Sequence, residues 1–179
     1  MMDTFISFVG FCFSFIPTSV RIGLPLVFCV GTVLFLSFMG FKKGLKWSIR
    51  LLFFEYLFLL ISLTVLFREL PRSRNCNLVP FRIVRAIMEG DDVFITQAIM
   101  NVSAFIPLGF LLGCAFGRIK WWKVLLIGGG LSMIIEILQY VLQRGFAEFD
   151  DVFHNVVGCM IGYGVYSLVN LVTKKRSVC

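Results

Sequence analysis

The sequence predicts an all-α, polytopic membrane helix bundle of about five transmembrane helices plus a short hydrophobic N-terminal segment. Three observations predict it. Of 179 residues, 59% are hydrophobic and only 15% charged, against about 45–50% and about 25% in an average soluble domain. A soluble chain of this length has too high a surface-to-volume ratio to hide so much apolar surface, and disorder requires the opposite composition. Next, the apolar residues gather into windows near the ~20 residues that cross a bilayer. Last, the charges between windows alternate in bias from one connection to the next.

Residues 4–16 are apolar but short, and Pro17 and Arg21 follow. They read as an interfacial or partly inserted segment, with a sixth full span as the alternative. With no basic leading region and no small-residue cleavage site, a cleavable signal peptide is not expected. Window 22–41 holds no charge, and window 49–67 carries Arg50 and Glu55 near one end. Residues 68–94 form the longest non-spanning segment. Within it Pro80 is placed to open a short helix at its first position. Phe81, Val84, Ile87 and Met88 then share one helical face, with Arg82, Arg85 and Glu89 largely on the other. A helix lying in the membrane interface has this pattern, and so does an ordinary amphipathic packing helix. Gly90, Asp91 and Asp92 read as a turn and a helix start.

Window 95–117 is uncharged and contains Pro107, which should kink it or free a carbonyl. Window 124–142 contains Glu136, with Trp121 and Trp122 at its boundary. Arg144 and Gly145 close this helix, Gly145 suiting a left-handed C-terminal cap. Window 152–172 contains His154 and Asn155 near its start, and Asp150 or Asp151 is placed to cap it. Gly109, Gly113 and Gly117 recur four apart, as do Gly158 and Gly162, a spacing that lets helix backbones approach closely in lipid.

The charges orient the chain. Lys42, Lys43, Lys46 and Arg50, then Arg118, Lys120 and Lys123, then Lys174, Lys175 and Arg176 make ten bases with no acid. The alternate connections hold seven bases and seven acids. The positive-inside rule makes the first set cytoplasmic and the second external. Asp3, Glu55 and Glu136 remain, and 10 − 3 recovers the net charge of +7. The basic excess therefore reports topology in a multi-pass membrane protein. No basic domain is left for a nucleic-acid partner, and none is expected. The membrane lipid bilayer is the expected partner, and the oligomeric state is left open.

The six cysteines form no CxxC and no Cys/His cluster. No disulfide framework, structural zinc, metal or other cofactor is expected. Four polar residues stand out inside the windows: Asn101, Glu136, Gln139 and Asn155. Such groups are costly in lipid and usually face the protein interior. At about 1.5 Å per residue, all four fall in the outer half of the membrane. Glu136 and Gln139 share a helix face, as do Asp151 and Asn155, while Asp150 and His154 share the neighbouring stripe.

These residues carry a resemblance. Asn77-Leu78-Val79-Pro80-Phe81 resembles the NLxPF motif of the VanZ-like family of bacterial membrane proteins. Asn101 with Phe105-Ile106-Pro107-Leu108-Gly109-Phe110 resembles its N-x3-FxPLGF signature. Ser132-x2-Ile135-Glu136-x2-Gln139 resembles its S-x2-xE-x2-Q helix, and Arg144-x5-Asp150-Asp151-x3-Asn155-x2-Gly158 its final R…DD-x3-N-x2-G stretch. The blocks occur in the family's order. The family often has Asp near the position of Glu148 or Phe149, where this chain departs. The resemblance implies a four-span core over residues 49–172, with residues 1–48 an N-terminal addition and 173–179 a basic tail. It also implies a role in the cell envelope linked to tolerance of the glycopeptide antibiotic teicoplanin.

Two main readings follow. In the first, the protein binds or modifies an outer-leaflet lipid, a lipid-linked cell-wall precursor or a glycopeptide. Arg82, Arg85 and Arg144 are the candidates to hold a phosphate. Asn77, Asn101, Gln139, Asp150, His154 and Asn155 are the candidates to order the ligand. Glu136 and Asp151 are the candidate acid/base pair. In the second, the protein is a membrane-embedded hydrolase or transferase acting by acid/base or metal-assisted chemistry on a lipid-linked substrate. Asp150, Asp151, Glu136 and His154 would supply hard ligands there. A transporter or proton relay built on Glu136 is weaker without an inverted repeat.

Overall fold

The computed structural model describes residues 41–66, 76–77, 79–143 and 147–176. The predicted segment 4–16 and, apart from Phe41, the segment 22–41 lie outside the described residues, as do Arg144 and Gly145. Helix α1 (Phe41–Ile61) runs into a π-helical turn (Ser62–Leu66). Helices α2 (Arg82–Glu89), α3 (Asp92–Phe116), α4 (Trp121–Val141) and α5 (Phe149–Arg176) follow. Two-residue strands, β1 (Cys76–Asn77) and β2 (Ala147–Glu148), form a small two-stranded pairing.

Four stretches are long and apolar enough to cross a membrane: Trp47–Val65, Asp92–Phe116, Trp121–Val141 and Phe149–Thr173. At about 1.5 Å per residue, even the shortest approaches the ~30 Å hydrocarbon thickness. Each begins two or three residues before its hydropathy window, because polar or aromatic first-turn residues such as Asp92 and Trp121 join the helix. The side chains are distributed inside out. Phe54, Phe58, Met100, Leu126, Ile137 and Leu168 are exposed, whereas Ser132, Glu136, Gln139, Asp151 and Asn155 are buried. Lipid solvates the former, and the latter are removed from it.

The chain divides into two compact units, Met1–Cys76 with Ile135–Ala147 and Asn77–Ile134 with Glu148–Cys179. In the first, α1 buries Phe53 and Leu60, the π-helical turn buries Val65, and the end of α4 buries Ile135. Gln139 Nε2 donates to the carbonyl of Thr64 at 2.9 Å, and Thr64 Oγ1 donates back to the Leu60 carbonyl at 2.8 Å. The side-chain amide thus meets a backbone oxygen within the π-helical turn, where the regular helical ladder is altered.

In the second unit α3 and α5 run parallel. Gln97 bonds to Asp151, Gly158 lies on the Val102 carbonyl and Gly162 on the Ile106 carbonyl, so sequence rises together on both helices. A Cβ on Gly109, Gly158 or Gly162 would overlap a backbone oxygen of the facing helix. The small residues therefore set the interhelical distance, as their four-residue spacing predicts. Pro107 lies inside α3, which continues through it to Phe116. Helix α4 runs antiparallel to α5: Gly128 faces Cys159 and Ser132 faces Asn155. The turn between α3 and α4 is fixed by Tyr163, whose hydroxyl donates to the Ile119 carbonyl at 2.6 Å and accepts from its N–H at 2.8 Å.

Three local expectations change. Pro80 does not open α2. It sits in a turn, and Phe81 precedes the helix in the left-handed region at φ 60°. The break at α4 comes earlier than Gly145, since Gln143 already adopts φ 55°. Neither Asp150 nor Asp151 is the cap of the last helix. Helix α5 begins at Phe149, which places both carboxylates inside its first turn. The predicted boundary between α2 and α3 is present. Gly90 ends α2 at φ 70°, and Asp91 caps α3 by accepting from the Phe94 N–H at 3.1 Å.

Candidate functional site

The polar side chains of the second unit form tiers that follow helical register. At the top, Asp150 Oδ1 accepts from the Phe81 N–H at 2.7 Å and Oδ2 from the Ile83 N–H at 3.3 Å. A carboxylate on α5 thereby satisfies N–H groups at the start of α2 and meets the positive end of that helix. Next to it Asp151 Oδ2 accepts from Gln97 Nε2 at 3.3 Å. One turn further along α5, Asn155 Nδ2 donates to Ser132 Oγ at 2.8 Å, with both residues buried. Asn101 lies one turn beyond Gln97 on α3, at the level of Asn155 by the same parallel register.

Depth follows from these positions. Asn155 is six residues past Phe149 and Asn101 nine past Asp92, about 9 and 14 Å along their axes. The tiers thus occupy the half of each helix nearer α2. The other half is packed through glycine, cysteine and aromatic rings, including Trp121 edge-on to Tyr163 at 5.5 Å.

Several buried polar atoms have no hydrogen-bond partner among the described residues: Asn101 Nδ2, His154 Nδ1, Asn155 Oδ1 and, in the first unit, Gln139 Oε1. Such groups normally carry a partner in a folded protein. His154 is itself buried beside Phe153.

The cations meet carboxylates. Arg82 Nη1 lies 3.6 Å from Glu148 Oε2, and its guanidinium sits 4.9 Å from the centre of the Phe94 ring. Arg85 Nε donates to Glu89 Oε1 at 2.7 Å on the exposed side of α2, and this contact raises the Arg85 pKa. Arg144 and the Asn77 side chain lie outside the described residues.

Glu136 is 7% exposed and stands one turn from Ser132 on the same face of α4, with Gln139 on that face beyond it. By the division of the chain, Glu136 and Gln139 fall in the first unit and Asp151 in the second. Among the described residues, no three His, Cys, Asp or Glu side chains are grouped to hold a metal ion.

The geometry links residues from all the blocks that the sequence singles out, and one comparison decides the family. The VanZ/LLP1 family pattern matches residues 53–170, well over half of the chain. The chain belongs to the VanZ/LLP1 family. It is similar to Protein VanZ of Enterococcus faecium, 33% identical over 98 residues that cover 55% of this chain and 56% of that protein. The match therefore spans little more than half the length of that relative. No solved structure matches. VanZ-like membership and four spanning helices together make this a multi-pass bacterial membrane protein.

Within the VanZ-like motifs, Ser132, Asp150, Asp151 and Asn155 each have a defined partner or neighbour. Gln97, Thr64 and Glu148 also contact motif residues or their neighbours and are not among the candidates that the sequence offers. Gln97 had a usable signal, since it lies four residues before Asn101 on one helix face. Thr64 had none, because its carbonyl and not its side chain receives Gln139.

Proposed function

We propose that this VanZ-like protein binds, or modifies, an amphiphile of the outer leaflet and contributes to glycopeptide tolerance of the teicoplanin type. The ligand would be a lipid headgroup, a lipid-linked cell-wall precursor or a lipophilic glycopeptide. The observation that supports this reading is the tiered polar layer of Gln97–Asp151 and Ser132–Asn155. It is confined to one half of the spanning helices and retains unpartnered atoms on Asn101, His154 and Asn155. By the charge bias along the chain, that half faces outward. Polar atoms held at such depth are the groups a membrane protein keeps for function.

In this reading Asn101, His154 and Asn155 offer hydrogen bonds to the ligand, and Asp151 and Glu136 are the groups able to accept or return a proton. Arg82, Arg85 and Arg144 are the cations for an anionic headgroup, the first two standing beside Glu148 and Glu89. The test is teicoplanin susceptibility of cells carrying Glu136→Gln, Asp151→Asn or Arg144→Ala at matched expression. Susceptibility equal to that of the deletion strain in these variants is expected. Wild-type behaviour in all three, against a clear effect of deletion, overturns the assignment.

A further inference from the structure

We infer that α2 is an interfacial helix whose apolar face is immersed in the lipid leaflet next to it, lying in the membrane plane beside the first turns of α3 and α5. Both of its ends are tied to the start of a spanning helix. At the C-terminal end only Gly90 and Asp91 separate Glu89 from Asp92, the first residue of the α3 span. Three peptide units reach at most about 11 Å. At the N-terminal end the Phe81 and Ile83 N–H groups are bound by Asp150, in the first turn of the α5 span. The starts of α3 and α5 are at one membrane level, because the two helices are parallel and in register from Gln97–Asp151 onward. A helix held at both ends to one level lies in the membrane plane.

Its faces agree with that placement. Ala86, 6% exposed, faces the protein, with Arg82 and Ile83 half-buried beside it. On the far side Val84, Ile87 and Met88 are 56%, 63% and 84% exposed. Nothing of the described chain covers them. Arg85 and Glu89 pair with each other off the apolar arc. The exposed surface continues into Val93 at the start of α3 and Phe153 on α5, both exposed on membrane-spanning helices. A helix of this kind buries its apolar face roughly 5–10 Å into the boundary between headgroups and acyl chains, which is the depth available at the first turn of a span. The occupant is therefore lipid, continuous with the lipid that solvates α3 and α5. This placement does not depend on what the polar tiers bind.

The experiment is spin-label accessibility on the full chain in vesicles of phosphatidylethanolamine and phosphatidylglycerol. The six native cysteines are replaced by alanine, and labels are placed singly by Val84→Cys, Arg85→Cys, Ile87→Cys, Met88→Cys and Glu89→Cys. Immersion predicts high collision with oxygen and low collision with a water-soluble nickel chelate at 84, 87 and 88, reversed at 85 and 89. High nickel access at all five positions puts the face in water and overturns the inference. Low access to both reagents at 84, 87 and 88 means a protein cover, such as a second copy, and also overturns it. If the cysteine-free chain does not fold, Met88→Trp in the otherwise native chain serves instead. Brominated lipid should quench its added fluorescence, and lack of quenching overturns the inference.

Discussion

Asp150 accepts a 2.7 Å hydrogen bond from the backbone N–H of Phe81, a residue 69 positions earlier, and so caps a helix it does not belong to. The cap is completed by the Ile83 N–H. The VanZ-like Asp pair thus does two jobs at one helix end, since Asp150 holds α2 while Asp151 turns to Gln97.

Asp150→Ala should loosen α2 selectively. Losing a capping carboxylate costs about 0.5–2 kcal/mol. That is enough to free an eight-residue helix that has little intrinsic stability. Amides of Arg82–Glu89 should exchange with deuterium faster, while those in the middle of α3 stay protected. Asp150→Asn keeps one acceptor and should show a smaller effect in the same measurement.

Phe81 should invert the usual order of substitutions. Its φ of 60° is strained for a bulky residue, and its ring lies edge-on to Phe153 at 5.8 Å. Phe81→Ala loses the ring contact, roughly 0.5–1.5 kcal/mol, and keeps the strain. Phe81→Gly also loses the ring but relieves about 1–2 kcal/mol of strain. Thermal unfolding in detergent should therefore rank Gly above Ala, the reverse of the order expected inside a helix.

The contrast between these residues shows what was legible in the sequence. The described spans follow from hydropathy, because lipid demands a long apolar window and little else. The Gly90–Asp91 boundary follows from local chemistry, as each residue acts on its own backbone. Asp150 was legible as a capping residue, but its partner was not. A carboxylate beside the start of α5 looks like the cap of α5 until the tertiary fold brings Phe81 to it. The left-handed turn at Gln143 was hidden for a similar reason, since Gly145 two residues later is the better left-handed residue by intrinsic preference. The polar tiers were half visible: helical register puts Asp151 with Asn155 and Gln97 with Asn101, but only the parallel packing of α3 on α5 joins Gln97 to Asp151.

The glycines of that packing should differ sharply in tolerance. A Cβ on Gly162 would overlap the Ile106 carbonyl, whereas one on Gly164 would meet only the Trp121 ring at 3.8 Å, an ordinary contact. Gly162→Ala forces two backbones apart and should destabilise by at least the 1–3 kcal/mol or so typical of overpacking. Gly164→Ala, with a residue better suited to helices, should leave the unfolding midpoint unchanged or slightly raised. Equal midpoints for the two variants would contradict the close approach of α3 and α5.

The Ser132–Asn155 bond separates architecture from function in the polar layer. Both residues are buried, and Asn155 Nδ2 gives its hydrogen to Ser132 Oγ while Oδ1 has no partner among the described residues. Ser132→Ala should cost about 1–3 kcal/mol, because it strands a buried donor. A cycle with Asn155→Leu should give a coupling near 0.6 kcal/mol and at most about 1.7, the range for hydrogen bonds between membrane helices. If the layer only holds helices together, teicoplanin susceptibility should follow unfolding midpoint through Ser132→Ala, Asn155→Leu and the double variant. If Asn155 also serves a ligand through Oδ1, Asn155→Leu should lose tolerance beyond its stability loss, and Ser132→Ala should not. Susceptibility plotted against midpoint decides between them, since a ligand role takes Asn155→Leu off the line set by Ser132→Ala and the glycine variants.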